Sequence, residues 1–376
     1  MNLDRVVIAA YARSPFHFAR KGALARVRPD ELAGRVVRAL VDRAGVDPES
    51  LEDVALGCAF PEGEQGWNLG RVVGVIAGLP TTVGGSTINR WCGSSMQSVH
   101  FAAGSLRMGA GEAYVCAGVE SMSRVPMYGF NPLHHPDLVE SYPQIYMGMG
   151  ETAENVAARY GIRRERQEAF AVESQTRAAR AREQGSFADE LVAIDGVSAD
   201  GTIRPETTLE ALAGLKPAFL EGGTVTAGTS SPLTDGAAAV LVTTESYAQR
   251  HGLEPLARVK SIAVSGCDPE VMGIGPVEAS RKALARAGIG VDELDVVELN
   301  EAFAAQSLAC IDELGLDPTK VNIDGGAIAL GHPLGATGAR ITGKAASILR
   351  RQGGRHALAT QCIGGGQDIA TVLEAA

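Results

Sequence analysis

The sequence predicts an α/β fold built from two similar halves, and three observations carry that prediction. Short β-rich runs alternate with segments of helical period, an internal repeat runs at a fixed offset, and glycine is plentiful while aromatic residues are few. The 376 residues include 46 Gly and only 5% Phe, Trp and Tyr, so packing must rest on close backbone approach and small aliphatic side chains. At roughly 100–200 residues per domain, the chain has room for two or three.

Residues 5–11 read as a first strand, 31–43 as a helix and 54–58 as a second strand; the pattern recurs as a helix over 280–287 and a strand over 296–299. Such βαβ units predict a largely parallel sheet. At an offset of 243, Ala44-Gly45-Val46 matches Ala287-Gly288-Ile289, Val54 matches Val297, Ala59-Phe60 matches Ala302-Phe303, and Ala102-Ala103 matches Ala345-Ala346. One gapless register over so long a stretch predicts two copies of one fold, over residues 1–250 and 251–376. Residues 121–223 differ in character, Pro/His/Met/Tyr-rich at first and then charged and helical from 151 to 184. They read as an insertion in the first half, with an independent third domain as the alternative.

Composition excludes several function classes. With 34 basic and 44 acidic residues the net charge is −10, which argues against a nucleic-acid binder with a dominant basic face. The apolar run 6–12 is too short for a membrane span and lacks a signal-peptide pattern, and the terminal Leu-Glu-Ala-Ala carries no targeting tail. A cytoplasmic protein is expected. The six cysteines include no CxxC pair, so reduced thiols and no metal site are expected.

Four clusters could carry chemistry. Cys92 follows Asn89-Arg90-Trp91 and precedes Gly93-Ser94-Ser95-Met96, where residues 97–108 read as a helix. A Cys at a helix start feels the positive end of the dipole, which favours the nucleophilic thiolate; a lone Cys, however, is more often buried and inert. His332 lies in the glycine-rich run 325–338 and is a candidate base, or else a satisfied His in a tight turn. The offset sets His332 opposite Asn89, so Cys92 and His332 start equivalent helices, and a pseudo-twofold axis would bring them together. Cys362 ends an apolar run beside Gly364-Gly365-Gly366, where a thiol meets exposed backbone N–H groups; a plain glycine turn is the alternative. Asn300, after Glu298-Leu299, sits where a strand end presents polar groups, or caps a helix. No P-loop, GxSxG or HExxH pattern is present, and Gly148-Met149-Gly150-Glu151-Thr152-Ala153 lacks the preceding strand that a dinucleotide site needs.

In combination, Asn89 to Gln97, Asn300-Glu301-Ala302-Phe303-Ala304, Gly331-His332-Pro333 and Cys362-Ile363-Gly364-Gly365-Gly366 resemble the thiolase family, and the likeness spans nearly the whole chain. Val119-Glu120-Ser121-Met122-Ser123 and Ala227-Gly228-Thr229-Ser230-Ser231 extend it. Within the family the motifs look more like the degradative 3-ketoacyl-CoA thiolases of fatty-acid β-oxidation than acetyl-CoA acetyltransferases. The resemblance implies two thiolase halves in a five-layered αβαβα core, with residues 121–223 as the inserted CoA-binding loop domain. It implies Cys92 as nucleophile, His332 as base, Cys362 as acid, and Asn300 and the N–H of Gly364 as oxyanion donors. Coenzyme A would be a substrate, with no permanently bound cofactor; Ser231 and Arg204 would touch it, and Phe219, Met149 and Met272 would line the pantetheine and acyl path. A homodimer or dimer of dimers, and association with a hydratase/dehydrogenase subunit, are also implied. Asp368 stands where the family usually has Gly, and Gly148 where acetoacetyl-CoA-forming members often have His.

Overall fold

The computed structural model describes residues 4–376. The first half runs β1 (Val6–Arg13), β2 (His17–Phe18), α1 (Pro29–Ala44), β3 (Asp53–Gly57), α2 (Leu69–Ile76), β4 (Gly84–Ile88), α3 (Ser94–Arg107) and β5 (Ala113–Ser121). Four further helices follow: α4 (Pro136–Ser141), α5 (Met149–Arg159), α6 (Arg164–Glu183) and α7 (Leu209–Ala213). The chain then resumes the sheet with β6 (Thr234–Thr244) and continues through α8 (Glu245–Arg250), β7 (Ala257–Gly266), α9 (Pro276–Ala287), β8 (Val296–Leu299), α10 (Ala304–Leu314), α11 (Ala327–Leu330), α12 (Leu334–Gln352), β9 (His356–Ile363) and β10 (Gln367–Glu374). Local chemistry sets these bounds: α1 opens on Pro29 with Asp30 and Glu31 in its first turn and closes on Gly45 at φ 67°, the left-handed position that glycine tolerates.

The strands run β4-β3-β5-β6-β1 and then β7-β10-β9-β8. Among the described residues only Val7↔Arg258 and Ile8↔Ala257 pair across the seam between β1 and β7, so the sheet is two half-sheets joined at that narrow bridge. Side chains alternate across each strand. Ala113, Val115, Ala117 and Val119 of β5 join one core with α1 and α2, whereas Tyr114 and Cys116 join a second, which holds α3 and α12 and the inner faces of β9 and β10. A third core lies between α9, α10 and the outer face of the second half-sheet. Helices, sheet, the α3/α12 pair, sheet and helices are therefore stacked in five layers.

The sheet is less parallel than its βαβ units suggest. β3 pairs in parallel with β4 and β5, and β8 with β9, but β6 and β10 run against their neighbours. The reason is a hairpin: β9 and β10 are joined by the turn 364–366, where Gly365 and Gly366 take φ of 72° and 74°. In the first half the equivalent connection between β5 and β6 is filled by the long segment with α4 to α7. That segment packs on the second half: Ala178, Ala179 and Phe187 cluster with Ala329 and Leu330, and Ala171 and Leu212 with Ala304 and Ile328.

The central helices touch backbone to backbone. A Cβ at Gly338 would lie 2.2 Å from the Met96 nitrogen, whereas one at Gly104, on the exposed face of α3, would meet nothing within 4 Å. Gly338→Ala should therefore destabilise the fold by about 1–3 kcal/mol through overpacking. Gly104→Ala should be neutral or stabilise by up to ~1 kcal/mol through helix propensity. Urea unfolding midpoints for the two variants check this; equal midpoints would show that the helices can separate without penalty.

Candidate active site

Cys92 lies in a single 3₁₀ turn, Trp91–Gly93, immediately before α3. The turn is tied down from several sides. Asn89 accepts from the Trp91 N–H at 2.8 Å and donates to the Ala59 carbonyl at 3.1 Å, while Arg90 bridges to Gln97 and Gln367, both at 2.9 Å. The Gln361 amide of β9 donates to the Cys92 carbonyl. Trp91 is held at φ 43°, a left-handed conformation that a non-glycine residue adopts only when its surroundings enforce it. Its indole covers the β9–β10 turn so closely that a Cβ at Gly365 would sit 2.6 Å from the ring.

The Cys92 thiol is half-buried among Ala59, Phe60, Met122, Met127 and Leu334. Burial pushes it up to about 11, against hydrogen bonds from the Gly364 N–H and its own N–H that favour the anion. The expectation that the helix start makes a resting thiolate is therefore not met: desolvation in an apolar recess outweighs the dipole. The two N–H groups still converge on the sulfur, where charge on an atom bonded to it would develop.

His332 lies two residues before α12, and its ring is buried. Its Nδ1 meets Thr337 Oγ1 at 2.6 Å, and that hydroxyl donates its proton to the Pro333 carbonyl at 3.0 Å. The hydroxyl must then accept from Nδ1–H, which leaves Nε2 with its lone pair. Asn300 Nδ2 points to that same Nε2 at 3.4 Å, consistent with this tautomer. Burial, with a smaller contribution from Arg340, lowers the ring to about 3, so it is neutral at physiological pH, with its Nε2 lone pair free but less basic than that of an exposed imidazole.

Asn300 stands at the end of β8, its N–H bonded to the Thr360 carbonyl at 3.0 Å and its side-chain oxygen buried without a partner. It is not a helix cap, since α10 begins at Ala304 with Phe303 in the cap position. Cys362 is buried near the end of β9; burial first, then the charge of Cys92, pushes its thiol well above the ordinary value. The two thiols thus share one low-dielectric volume with the Gly364 N–H directed at Cys92, while Asn300 and His332 face each other.

Of the other residues singled out, Met149 and Met272 share a core cluster with Cys362, Phe303 and Val225. Phe219 packs edge-on against Phe303 at 5.8 Å between ring centroids. Ser231 is fixed through its N–H to the Ala302 carbonyl at 3.0 Å. Arg204 stands apart, exposed, with its guanidinium 4.8 Å from the Phe18 ring centroid. Reading the sequence alone missed Thr337, Gln361 and Arg90, which position His332 and Cys92. Thr337, five residues after His332 at the start of the same helix, is the one that spacing could have revealed. Glu120 was noticed only as part of a motif; it is a buried carboxylate that accepts from the Ala59 and Gly335 N–H groups at 2.8 and 2.9 Å and so locks α12 to the first half.

If the thiol rests protonated, alkylation of Cys92 by iodoacetamide should keep accelerating above pH 9, with a midpoint near 11, because only the thiolate reacts. Peptide mass spectrometry across a pH series reads it, and a midpoint below 8 would mean a resting thiolate.

Comparison with known proteins yields consistent matches. Residues 6–246 match the family model "Thiolase, N-terminal domain" and residues 253–375 match "Thiolase, C-terminal domain". A 3-ketoacyl-CoA thiolase of Bacillus subtilis is 45% identical over 389 aligned positions, covering 99% of this chain and 100% of the relative. Human mitochondrial 3-ketoacyl-CoA thiolase superimposes with a TM-score of 0.92 at 39% identity, covering 100% of both chains, and has also been solved in complex with CoA. An acetyl-CoA acetyltransferase of Bacillus anthracis gives a TM-score of 0.91 at 40% identity, covering 100% of this chain and 99% of that one.

Proposed function

The chain belongs to the thiolase family, and from that premise we propose that it is a 3-ketoacyl-CoA thiolase, cleaving 3-ketoacyl-CoA with coenzyme A to acetyl-CoA and a shortened acyl-CoA in fatty-acid β-oxidation. The reading is supported by two buried thiols near enough to influence each other, a backbone N–H directed at the nucleophilic sulfur, and a neutral imidazole whose free Nε2 faces Asn300.

His332 Nε2 takes the Cys92 proton as the sulfur attacks the 3-keto carbon, so the thiolate forms only in the reaction. The N–H groups of Cys92 and Gly364 stabilise the oxyanion of that adduct, a donor of this kind being worth roughly 3–4 kcal/mol. Collapse breaks the C2–C3 bond and leaves an acyl group on Cys92. The departing acetyl-CoA enolate, its oxygen held by His332 and by a water on Asn300, takes its proton from Cys362. The proton held on His332 then passes to the Cys362 thiolate, which frees His332 to take the coenzyme A thiol proton as that sulfur attacks the thioester; collapse releases acyl-CoA and the proton returns from His332 to Cys92. Neutral Cys362 suits an acid because its high affinity for a proton leaves the thiol form populated until carbanion character develops.

Coenzyme A is on this reading a substrate, entering past the inserted segment, with Ser231 and Arg204 at its polar end and Phe219, Met149 and Met272 along the pantetheine and acyl path. The clustering of Phe219 with Phe303, and of Met149 and Met272 with Cys362, supports that path. We place the enzyme in the cytoplasm as a homodimer or dimer of dimers, open to association with a hydratase/dehydrogenase subunit; among the described residues no helix is long and apolar enough to cross a membrane. Among the described residues, strand β4 has β3 on one side and no partner on the other, which offers an edge for a second copy.

An acyl-chain-length profile of thiolysis tests the assignment: longer 3-ketoacyl-CoAs should be cleaved, with the acyl-enzyme trapped on Cys92 and absent from folded Cys92→Ser. Acyl capture on another cysteine, or turnover confined to acetoacetyl-CoA, would overturn it in favour of a different nucleophile or an acetyl-CoA acetyltransferase. Cys362→Ala should slow thiolysis by roughly 10²–10⁴-fold while slow acylation of Cys92 persists in single-turnover trapping.

A further inference from the structure

Asp368 is buried beneath the site in a position the proposed mechanism does not use. It stands directly opposite Cys362 in the antiparallel β9–β10 ladder and opposite Ser265 in the β10–β7 ladder. Directly opposed residues project to the same face, with Cβ atoms about 4.5–5.5 Å apart. The carboxylate is fully buried and accepts from the Ser265 hydroxyl, with the Cys267 thiol as a second, weaker partner. It is also confined, since a Cβ at Gly275 would lie 2.0 Å from its Oδ1. A carboxylate buried with only a hydroxyl and a thiol to hold it is costly and calls for a role.

We infer that Asp368 is a positioning residue for Cys362, its carboxylate holding the neighbouring thiol in the protonated form from which it donates to the enolate. The inference rests on the proposed role of Cys362 as proton donor. In the donation itself the Cys362 S–H bond breaks and a C–H bond forms on the enolate carbon, leaving a thiolate. A carboxylate nearby makes that thiolate harder to sustain, so the thiol keeps its proton until the enolate, a stronger base, is there to take it.

The surroundings fit. Cys362 is faced by Cys92 from the turn before α3, Cys310 from α10, Cys267 from the end of β7 and Asp368 from β10, and burial is the largest influence holding its proton. Asp368 is faced by Ser265, Cys267, and Lys282 and Glu278 of α9; burial raises it, while the Ser265 and Cys267 hydrogen bonds and Lys282 favour its ionised form. Asp368 is thus the carboxylate among the groups acting on Cys362.

The test is Asp368→Asn, which keeps shape and removes charge. The alkaline limb of the kcat/KM profile for thiolysis, where Cys362 loses its proton, should move to lower pH by roughly one unit or more, with KM for coenzyme A unchanged. In a Cys92→Ser background, alkylation of Cys362 read by mass spectrometry should show its midpoint moving the same way. Asp368→Gly serves if the Asn variant does not fold. An unmoved or upward-moving midpoint, with only lowered stability, would make Asp368 a structural residue and overturn the inference. Wild-type enzyme that forms no acyl-enzyme at all would instead overturn the functional assignment beneath it.

Discussion

The N-terminal ends of α3 and α12 pack against each other and the first half-sheet through close backbone approach, with the small Ser95 hydroxyl accepting from the Ala339 N–H at 2.8 Å, and the site depends on that contact. A Cβ at Gly57 would lie 2.3 Å from the Ser95 nitrogen, one at Gly118 would lie 2.1 Å from the Gly335 carbonyl oxygen, and one at Gly335 would lie 2.4 Å from the Val119 carbonyl oxygen. Backbone contact at this distance fixes where each helix starts. Because Cys92 and His332 lie just ahead of those starts, their separation is set by main chain rather than by flexible side chains. The Glu120 carboxylate, accepting from the Gly335 N–H at 2.9 Å, adds a charge-assisted bond at the positive end of α12.

The same burial decides the protonation states. A helix dipole contributes about 0.3–1 kcal/mol, up to ~2 in partly buried geometries, which is at most about one and a half pKa units. Desolvation of Cys92 exceeds this, raising the thiol to about 11, and it lowers His332 to about 3. The resting pair is therefore thiol and neutral imidazole. On the proposed mechanism, charge is created only when substrate is present, and the dipoles and the Gly364 N–H act on it then, with no reorganisation needed at the moment of reaction.

Ionic contacts hold the inserted segment in register with this frame. Arg13 of β1, fully buried, binds Asp200 through two nitrogens at 2.7 and 2.8 Å and Glu190 at 2.7 Å. Lys344 of α12 binds Glu190 at 3.0 Å and Asp324 at 2.9 Å. Buried ion pairs add little net stability, but breaking one by removing a partner is expensive, so this network disfavours other placements of the segment. Glu301, buried beside Asn300, accepts from Ser174 of α6 at 2.6 Å and from the Ile328 N–H at 3.1 Å. The insertion and the glycine-rich run that leads to His332 are thus braced by one carboxylate.

Much of this was legible in the residues themselves. Strands near 5–11, 54–58 and 296–299 and helices near 31–43 and 280–287 were readable because period and capping are local properties, and β8 is found at Val296–Leu299. Cys92, His332, Cys362 and Asn300 stood out because reactive side chains among glycines and small residues are conspicuous in one dimension. Folding alone decided which way β6 and β10 run, since a three-glycine hairpin and its long counterpart in the first half become equivalent only when the two half-sheets are compared. It also decided the Nδ1–H tautomer imposed by Thr337, the anchoring of the Cys92 carbonyl by Gln361, and the setting of Asp368 against Cys362. These depend on desolvation and on contacts between residues as far apart in the chain as Cys92 and Gln361; a proton's affinity for a site is fixed by everything packed around it, which no local pattern of residues encodes.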